Sequence, residues 1–379
     1  MKKDVIKILA VLLLILNIIS CSSSTKDEAN HYFDKIGHEA AAVRHRPEKI
    51  IALKNRELEK NRETNDRKFL ISSKYVELFN DADSKDDELL IKTIPVVYEL
   101  LILNNNEYDY ISIACNFNLA HQFEHRSPKL SMQFLNEAIK LDDKDGQKYF
   151  LPHLYHLKGR IYYNEKQYKQ ALFYFNKCLQ NLPKDRKNLL YIASMHNNFG
   201  LSYEKMGNLN LATEETKKAI VILEQIKDMT AEEEDFFVSV KGNLGFYYYQ
   251  SKKYAEAELL MKEEMNYYKG KVEFYHLAVM NMERQFDLYN ETNENDKMKE
   301  MINYGLFLEG KTTDIQDKIQ INEMLQSYEL KMNNNTGVKG LCKKLKLLRD
   351  QSNEKTNDKL MYISDTLNSF IIKSVDQEA

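Results

Sequence analysis

Apolar and polar residues along this 379-residue chain rarely alternate one by one, and short β-branched runs bounded by turn residues, the mark of strands, are scarce. Helix-tolerant residues fill most positions instead. Toward the C-terminus, Leu360, Ile363, Leu367, Phe370 and Ile371 fall on one helical stripe across residues 354–375. The pattern predicts an almost wholly α-helical protein. Two stretches depart from it. Ile8 to Ile19 is an apolar run interrupted only by Asn17, whereas residues 29–65 are rich in charge, and Lys54-Asn55-Arg56-Glu57-Leu58-Glu59-Lys60 is helix-prone with hardly an apolar face.

The apolar run follows Lys2, Lys3 and Lys7. It has the length of a secretory core and is too short to span a bilayer comfortably. It ends in Ile18-Ile19-Ser20-Cys21, which resembles the lipobox of bacterial lipoproteins: apolar residues, a small one, then the cysteine that is lipidated. The resemblance implies that residues 1–20 are a lipoprotein signal peptide and that Cys21 becomes the mature N-terminus. Its thiol would carry a diacylglycerol whose two acyl chains (of the palmitate type) suffice for stable attachment. It also implies an extracytoplasmic location, on the periplasmic face or the cell surface. An ordinary signal peptide with a chance cysteine and an uncleaved anchor remain as alternatives. Residues 22–28 are small and polar, as a tether should be, so residues 21–65 are expected to form a lipidated tether and a loosely held, charged helical stalk ahead of a body spanning 66–379.

Within that body a pattern repeats. Gly159, Tyr162 and Ala171 recur with identical internal spacing as Gly200, Tyr203 and Ala212, and again as Gly245, Tyr248 and Ala257. Glycine and alanine allow two helices to approach closely, and the tyrosine fills the space beside them. Asn164 to Gln167, Met206-Gly207-Asn208 and Ser251-Lys252-Lys253 are short polar turns of the kind that join antiparallel helices. Together with Tyr155, Phe175 and Pro183, these residues resemble the tetratricopeptide repeat (TPR) signature. Lys158 stands where the signature has leucine. His196 and Lys241 replace the first aromatic residue, and Thr216 and Met261 the phenylalanine.

The units are 152–185, 193–226 and 238–271, with starts 41 and 45 residues apart rather than the usual spacing of about 34. This is similar to the longer variant in kinesin light chains and bacterial peptide-sensing regulators. Weaker copies are read at 72–105, 112–145, 278–311 and 319–352, giving seven hairpins and then a capping helix at 354–375. The resemblance implies an all-α, right-handed TPR-type solenoid of helical hairpins, a single curved rod whose first helices line a concave groove. Its peptide-binding candidates are His156, Arg160 and Asn164, then Asn197, Asn198, Leu201 and Lys205, then Asn243, Phe246, Tyr249 and Gln250. An asparagine amide can meet both the donor and the acceptor of a peptide backbone. Asn198 and Asn243 could equally tie one helix to the next.

Composition narrows the function. The formal charge is −3, and no concentrated basic footprint appears, so no nucleic-acid partner is expected. Beyond Cys21, the thiols Cys115, Cys178 and Cys342 are too widely spaced for a disulfide framework or a metal site and are expected to be buried. One chemical motif occurs, His121-Gln122-Phe123-Glu124-His125, in the order of an inverted zinc-protease signature. If it were helical, both histidines would share a face and Glu124 could act as base. No phosphate loop or nucleophile elbow accompanies it. A non-enzymatic scaffold for a protein or peptide partner, needing no cofactor, is the expectation. Capture of a small ligand or glycan is the alternative, disfavoured by the absence of tryptophan, and a zinc hydrolase is a remote one.

Overall fold

The computed structural model describes residues 27–79, 87–145 and 149–378, so the expected signal peptide, Cys21 and the start of the tether lie outside the described residues. Sixteen helices and no strand occur among them. They are α1 (27–41), α2 (Pro47–Thr64), α3 (Arg67–Val76), α4 (Asp87–Asn104), α5 (Asp109–Phe123), α6 (Pro128–Asp145), α7 (Leu151–Asn164) and α8 (Tyr168–Asn181). There follow α9 (Leu189–Lys205), α10 (Leu209–Leu223), α11 (Ala231–Gln250), α12 (Tyr254–Tyr268), α13 (Tyr275–Glu291), α14 (Asn295–Glu309), α15 (Ile315–Lys331) and α16 (Asn335–Glu378). The fold is that of TPR-like helical-repeat solenoids. The chain divides into two compact units, one within Met1–Ile161 and Thr366–Ala379 and the other Tyr162–Asp365.

In the first unit residues 29–65 are largely helical, as expected of the stalk, but not loosely held: they form α1 and α2, whose Ala29, Phe33, Ile36, Ala40, Ile50 and Leu53 join one core with Ile71, Tyr75, Val97, Leu100 and Tyr110. The buried α1 positions are spaced four, three and four apart, which is one helical face. Polarity on the partner helix hides a second packed face. Glu57 of α2 is fully buried, accepts from the Tyr32 hydroxyl at 2.5 Å and from Lys60 Nζ at 3.0 Å, and meets Arg56 Nε at 3.1 Å. Burial pulls the Glu57 carboxyl up, but the hydrogen bonds from Tyr32 and Lys60 outweigh it and hold the group below its ordinary value. A charged residue is therefore part of the packing here.

In the second unit the repeat pattern governs the local geometry. Ala171, Ala212 and Ala257 are fully buried, and Gly200 and Gly245 are buried. A Cβ added at Gly200 would crowd the Thr216 hydroxyl and the Ala212 carbonyl, and one at Gly245 would meet Leu260 Cβ at 3.0 Å and the Ala257 carbonyl at 3.3 Å. The glycines are thus the contact points between the two helices of a hairpin.

Each turn also repeats. Lys166, Gly207, Lys252, Asn293 and Asn333 take the left-handed conformation. In every case the following amide bonds back across the turn: Gln167 to Tyr162, Asn208 to Tyr203, Lys253 to Tyr248, Glu294 to Tyr289 and Asn334 to Glu329.

Two expectations of register need correction. Counted from Asn293, the fourth hairpin places Tyr289, Met298 and Ile302 in the slots of Tyr248, Ala257 and Met261, so its frame starts one residue later than 278. Bulky Phe286 fills the glycine slot there, which obscures the signature. At the C-terminus, no break separates a hairpin ending at 352 from a cap at 354–375. α16 runs unbroken from Asn335 to Glu378, since Gln351-Ser352-Asn353-Glu354-Lys355 contains no glycine or proline to stop it. The side chains of the 360–371 stripe lie outside the described residues. No helix among the described residues is long and apolar enough to cross a membrane.

Candidate functional site

The candidate residues fall into the two units separately. In the first, Arg160 of α7 is not free: its guanidinium binds the buried Glu124 carboxylate at 2.7 Å. His156 is half-buried. Burial, then the Arg160 charge and the neighbouring His153 and His121, push it down to about 3, so it is a neutral imidazole throughout the physiological range.

The second unit aligns the first helices α9, α11, α13 and α15. Asn243 Nδ2 of α11 donates to Asn197 Oδ1 of α9 at 3.2 Å, and Asn197 is 7% exposed. That pair ties one helix to the next, the structural role weighed for asparagine. Asn198, half-buried one residue on, takes the Ser202 hydroxyl on its backbone carbonyl at 2.8 Å. Leu201 is half-buried, while Asn164 and Lys205 are exposed. Lys205 lies 3.1 Å from Glu204, whose carboxylate also accepts from Gln250 Nε2 at 2.9 Å. Phe246 and Tyr249 are half-buried neighbours with ring centroids 6.1 Å apart.

Several residues on the same helices were not anticipated. Arg284 of α13 lies 4.6 Å from the centroid of the Phe246 ring, a cation–π contact. Glu291 gathers Tyr249 at 3.1 Å, Tyr254 at 2.9 Å and Lys252 at 2.9 Å. Asp287 is pushed up to about 6 by burial and by the Glu283 and Glu291 charges. Arg284, Asp287 and Glu291 occupy in α13 the slots of Asn243, Phe246 and Gln250 in α11. The shifted frame of the fourth hairpin is the signal that would have found them.

The zinc motif does not form its expected geometry. α5 ends at Phe123 with Glu124 as its C-cap, so His125 stands in the turn beyond the helix instead of sharing a helical face with His121. Glu124 is 1% exposed and committed to Arg160. Among the described residues no group of three or more His, Cys, Asp or Glu could hold a metal ion. Of the thiols, Cys115 and Cys178 are buried, and Cys178 is pushed up to about 12 by burial. Cys342 is exposed, because Leu345 and Leu348 take the packed face of α16.

Comparison with known proteins agrees with this geometry. The tetratricopeptide repeat family matches residues 152–185, one of the three units read from the sequence. The apo form of the quorum sensor NprR from B. thuringiensis superposes with a TM-score of 0.61 at 12% identity, over 93% of this chain and 99% of that one. NprR in complex with its cognate peptide NprX gives 0.58 at 12% identity over 90% and 98%. A Rap protein complexed with Competence and Sporulation Factor gives 0.57 at 14% identity over 91% of each chain. No curated protein matches the chain by sequence. At such identities the likeness concerns the fold alone. With residues 152–185 matched by sequence and three hairpins built on the same glycine, alanine and tyrosine slots, the chain carries a tetratricopeptide repeat and the helical-repeat fold of such proteins.

Proposed function

We propose that this protein is a membrane-anchored scaffold that holds an extended peptide, or a peptide segment of a partner protein, on the first-helix face of its second unit. The observation that carries the reading is the row Asn198, Asn243, Phe246, Arg284 and Tyr249. It offers amide, aromatic and cationic groups on adjacent helices, with Phe246 and Tyr249 half-buried and so partly available to an occupant. That combination suits a peptide, since amides meet its backbone and aromatic rings its side chains. The similarity of fold to a sensor crystallised with its cognate peptide supports the same reading. None of these groups is arranged as nucleophile and base, so binding rather than catalysis is the role they suit.

The test is selection of peptides from a random library on the full-length chain, followed by titration of the peptides recovered. Phe246→Ala and Asn198→Ala should each weaken binding by roughly tenfold or more, the size of a central anchor residue. Equal affinity in both variants would remove the site from this face. Attachment at Cys21 is a separate part of the proposal, motivated by the Ile18-Ile19-Ser20-Cys21 pattern. Cells fed an alkyne fatty acid should label the wild-type chain and not Cys21→Ser. Labelling that survives the substitution would overturn the anchor.

A further inference from the structure

In three hairpins of the second unit, one slot on the second helix holds a small residue against the first helices: Cys178, Ala219 and, in the shifted frame, Gly305, all buried. The third hairpin has Glu264 there, 5% exposed. Room is made for it by Gly242 on α11, where an added Cβ would fall within the Glu264 carboxylate. Asn281 Nδ2 of α13 donates to Glu264 Oε2. Behind it stands a buried amide chain, in which Gln285 Nε2 donates to Asn281 Oδ1 at 2.6 Å and the Tyr289 hydroxyl to Gln285 Oε1 at 3.3 Å.

Glu57 and Glu124, the other buried glutamates among the described residues, have cations at 3.0 and 2.7 Å. Glu264 has no ion pair among the described residues. The cation whose charge bears on it is Arg284, one turn beyond Asn281 on α13, and that guanidinium lies over Phe246.

We propose that Glu264 is a proton-operated control on the binding face. When ionised it draws on the Arg284 charge; when it takes up a proton it leaves that charge to whatever lies against Phe246. The inference rests on the reading of this face as the peptide site and concerns its regulation. Burial pushes Glu264 up to about 7 against the pull of Arg284 and Asn281, which places the change in the neutral range.

Other charges on the packed elements are engaged elsewhere. On α11, Lys241 pairs with Glu263 of α12 at 2.6 Å, and Asp235 accepts from Tyr267 at 2.6 Å. Tyr268, a turn beyond Glu264, is held neutral by burial and by Glu264. On α13, Glu283 accepts from Gln320, and Asp287 is the other group able to titrate beside Arg284.

The experiment is a fluorophenylalanine placed at position 246 of the full-length chain and followed by fluorine NMR from pH 5 to pH 9, with no peptide present. The resonance should move with a midpoint near that of Glu264, about 7. The movement should vanish in Glu264→Gln and survive in Asp287→Asn. A resonance that does not titrate, one that titrates unchanged in Glu264→Gln, or one silenced by Asp287→Asn each overturns the proposal. Should Glu264→Gln fail to fold, the wild-type and Asp287→Asn titrations still decide it. Peptide binding without the titration would sink the switch alone, and the titration without peptide binding would sink the site alone.

Discussion

Gly245 and Gly340 are both helical, yet the same substitution should act on them with opposite sign. Alanine is favoured over glycine inside a helix by about 1 kcal/mol. At Gly340 a Cβ would meet nothing within 4 Å, so Gly340→Ala should stabilise the protein by about 0.5–1 kcal/mol. At Gly245 the Cβ would press on Leu260 and on the backbone carbonyl of Ala257, and a carbonyl in a helix cannot rotate away. Overpacking of this kind costs about 1–3 kcal/mol, which exceeds the helical gain, so Gly245→Ala should be destabilising. Urea titration of the two variants checks the sign directly, and a stabilised Gly245→Ala would mean that the hairpins do not depend on close approach at glycine.

At the scale of elements, what was legible in the sequence depended on how cleanly each slot was filled. Gly159, Gly200 and Gly245 with their tyrosines and alanines announced three hairpins and placed Asn243, Phe246 and Tyr249 on a first helix, α11. Phe286 in the glycine slot displaced the fourth hairpin by one residue and hid Arg284, Asp287 and Glu291. Glu264 was invisible for another reason: its burial depends on Gly242 and Asn281, which come from different helices.

α1 and α2 were misjudged because Arg56, Glu57 and Lys60 look like a solvated face, whereas Glu57 is fully buried and bonded to Tyr32. The distinction is measurable. Phe33 is fully buried with its ring 5.1 Å from that of Tyr108, so Phe33→Ala should cost about 3–5 kcal/mol, the usual loss for a core phenylalanine. On a loosely held stalk the same change would cost about 0.5 kcal/mol or less. Denaturant unfolding monitored by circular dichroism separates the two.

For the molecule as a whole, two sets of carboxyls oppose one another and fix the pH of greatest stability. Glu57, Glu77, Glu215 and Glu258 are held below their ordinary value by hydrogen bonds and cations that outweigh burial, Glu258 at about 2. For such groups the unfolded chain takes up protons first as pH falls, so their contribution is present above about 4.5 and is lost on acidification. Glu264 and Asp287 behave oppositely, because burial raises them to about 7 and about 6. Their folded forms keep protons that the unfolded chain has already released, so stability declines as pH rises from about 4 to about 7, and the loss persists above. Thermal unfolding across pH 3–9 should therefore peak on the mildly acidic side of neutrality. For Glu264 alone, the rise from 4.5 to about 7 corresponds to about 3 kcal/mol. In Glu264→Gln the alkaline decline should shrink by about that amount while the acid limb stays, since Glu57 and Glu258 are untouched. A variant whose alkaline limb falls as steeply as that of the wild type would show that Glu264 does not carry the proton that separates the two states.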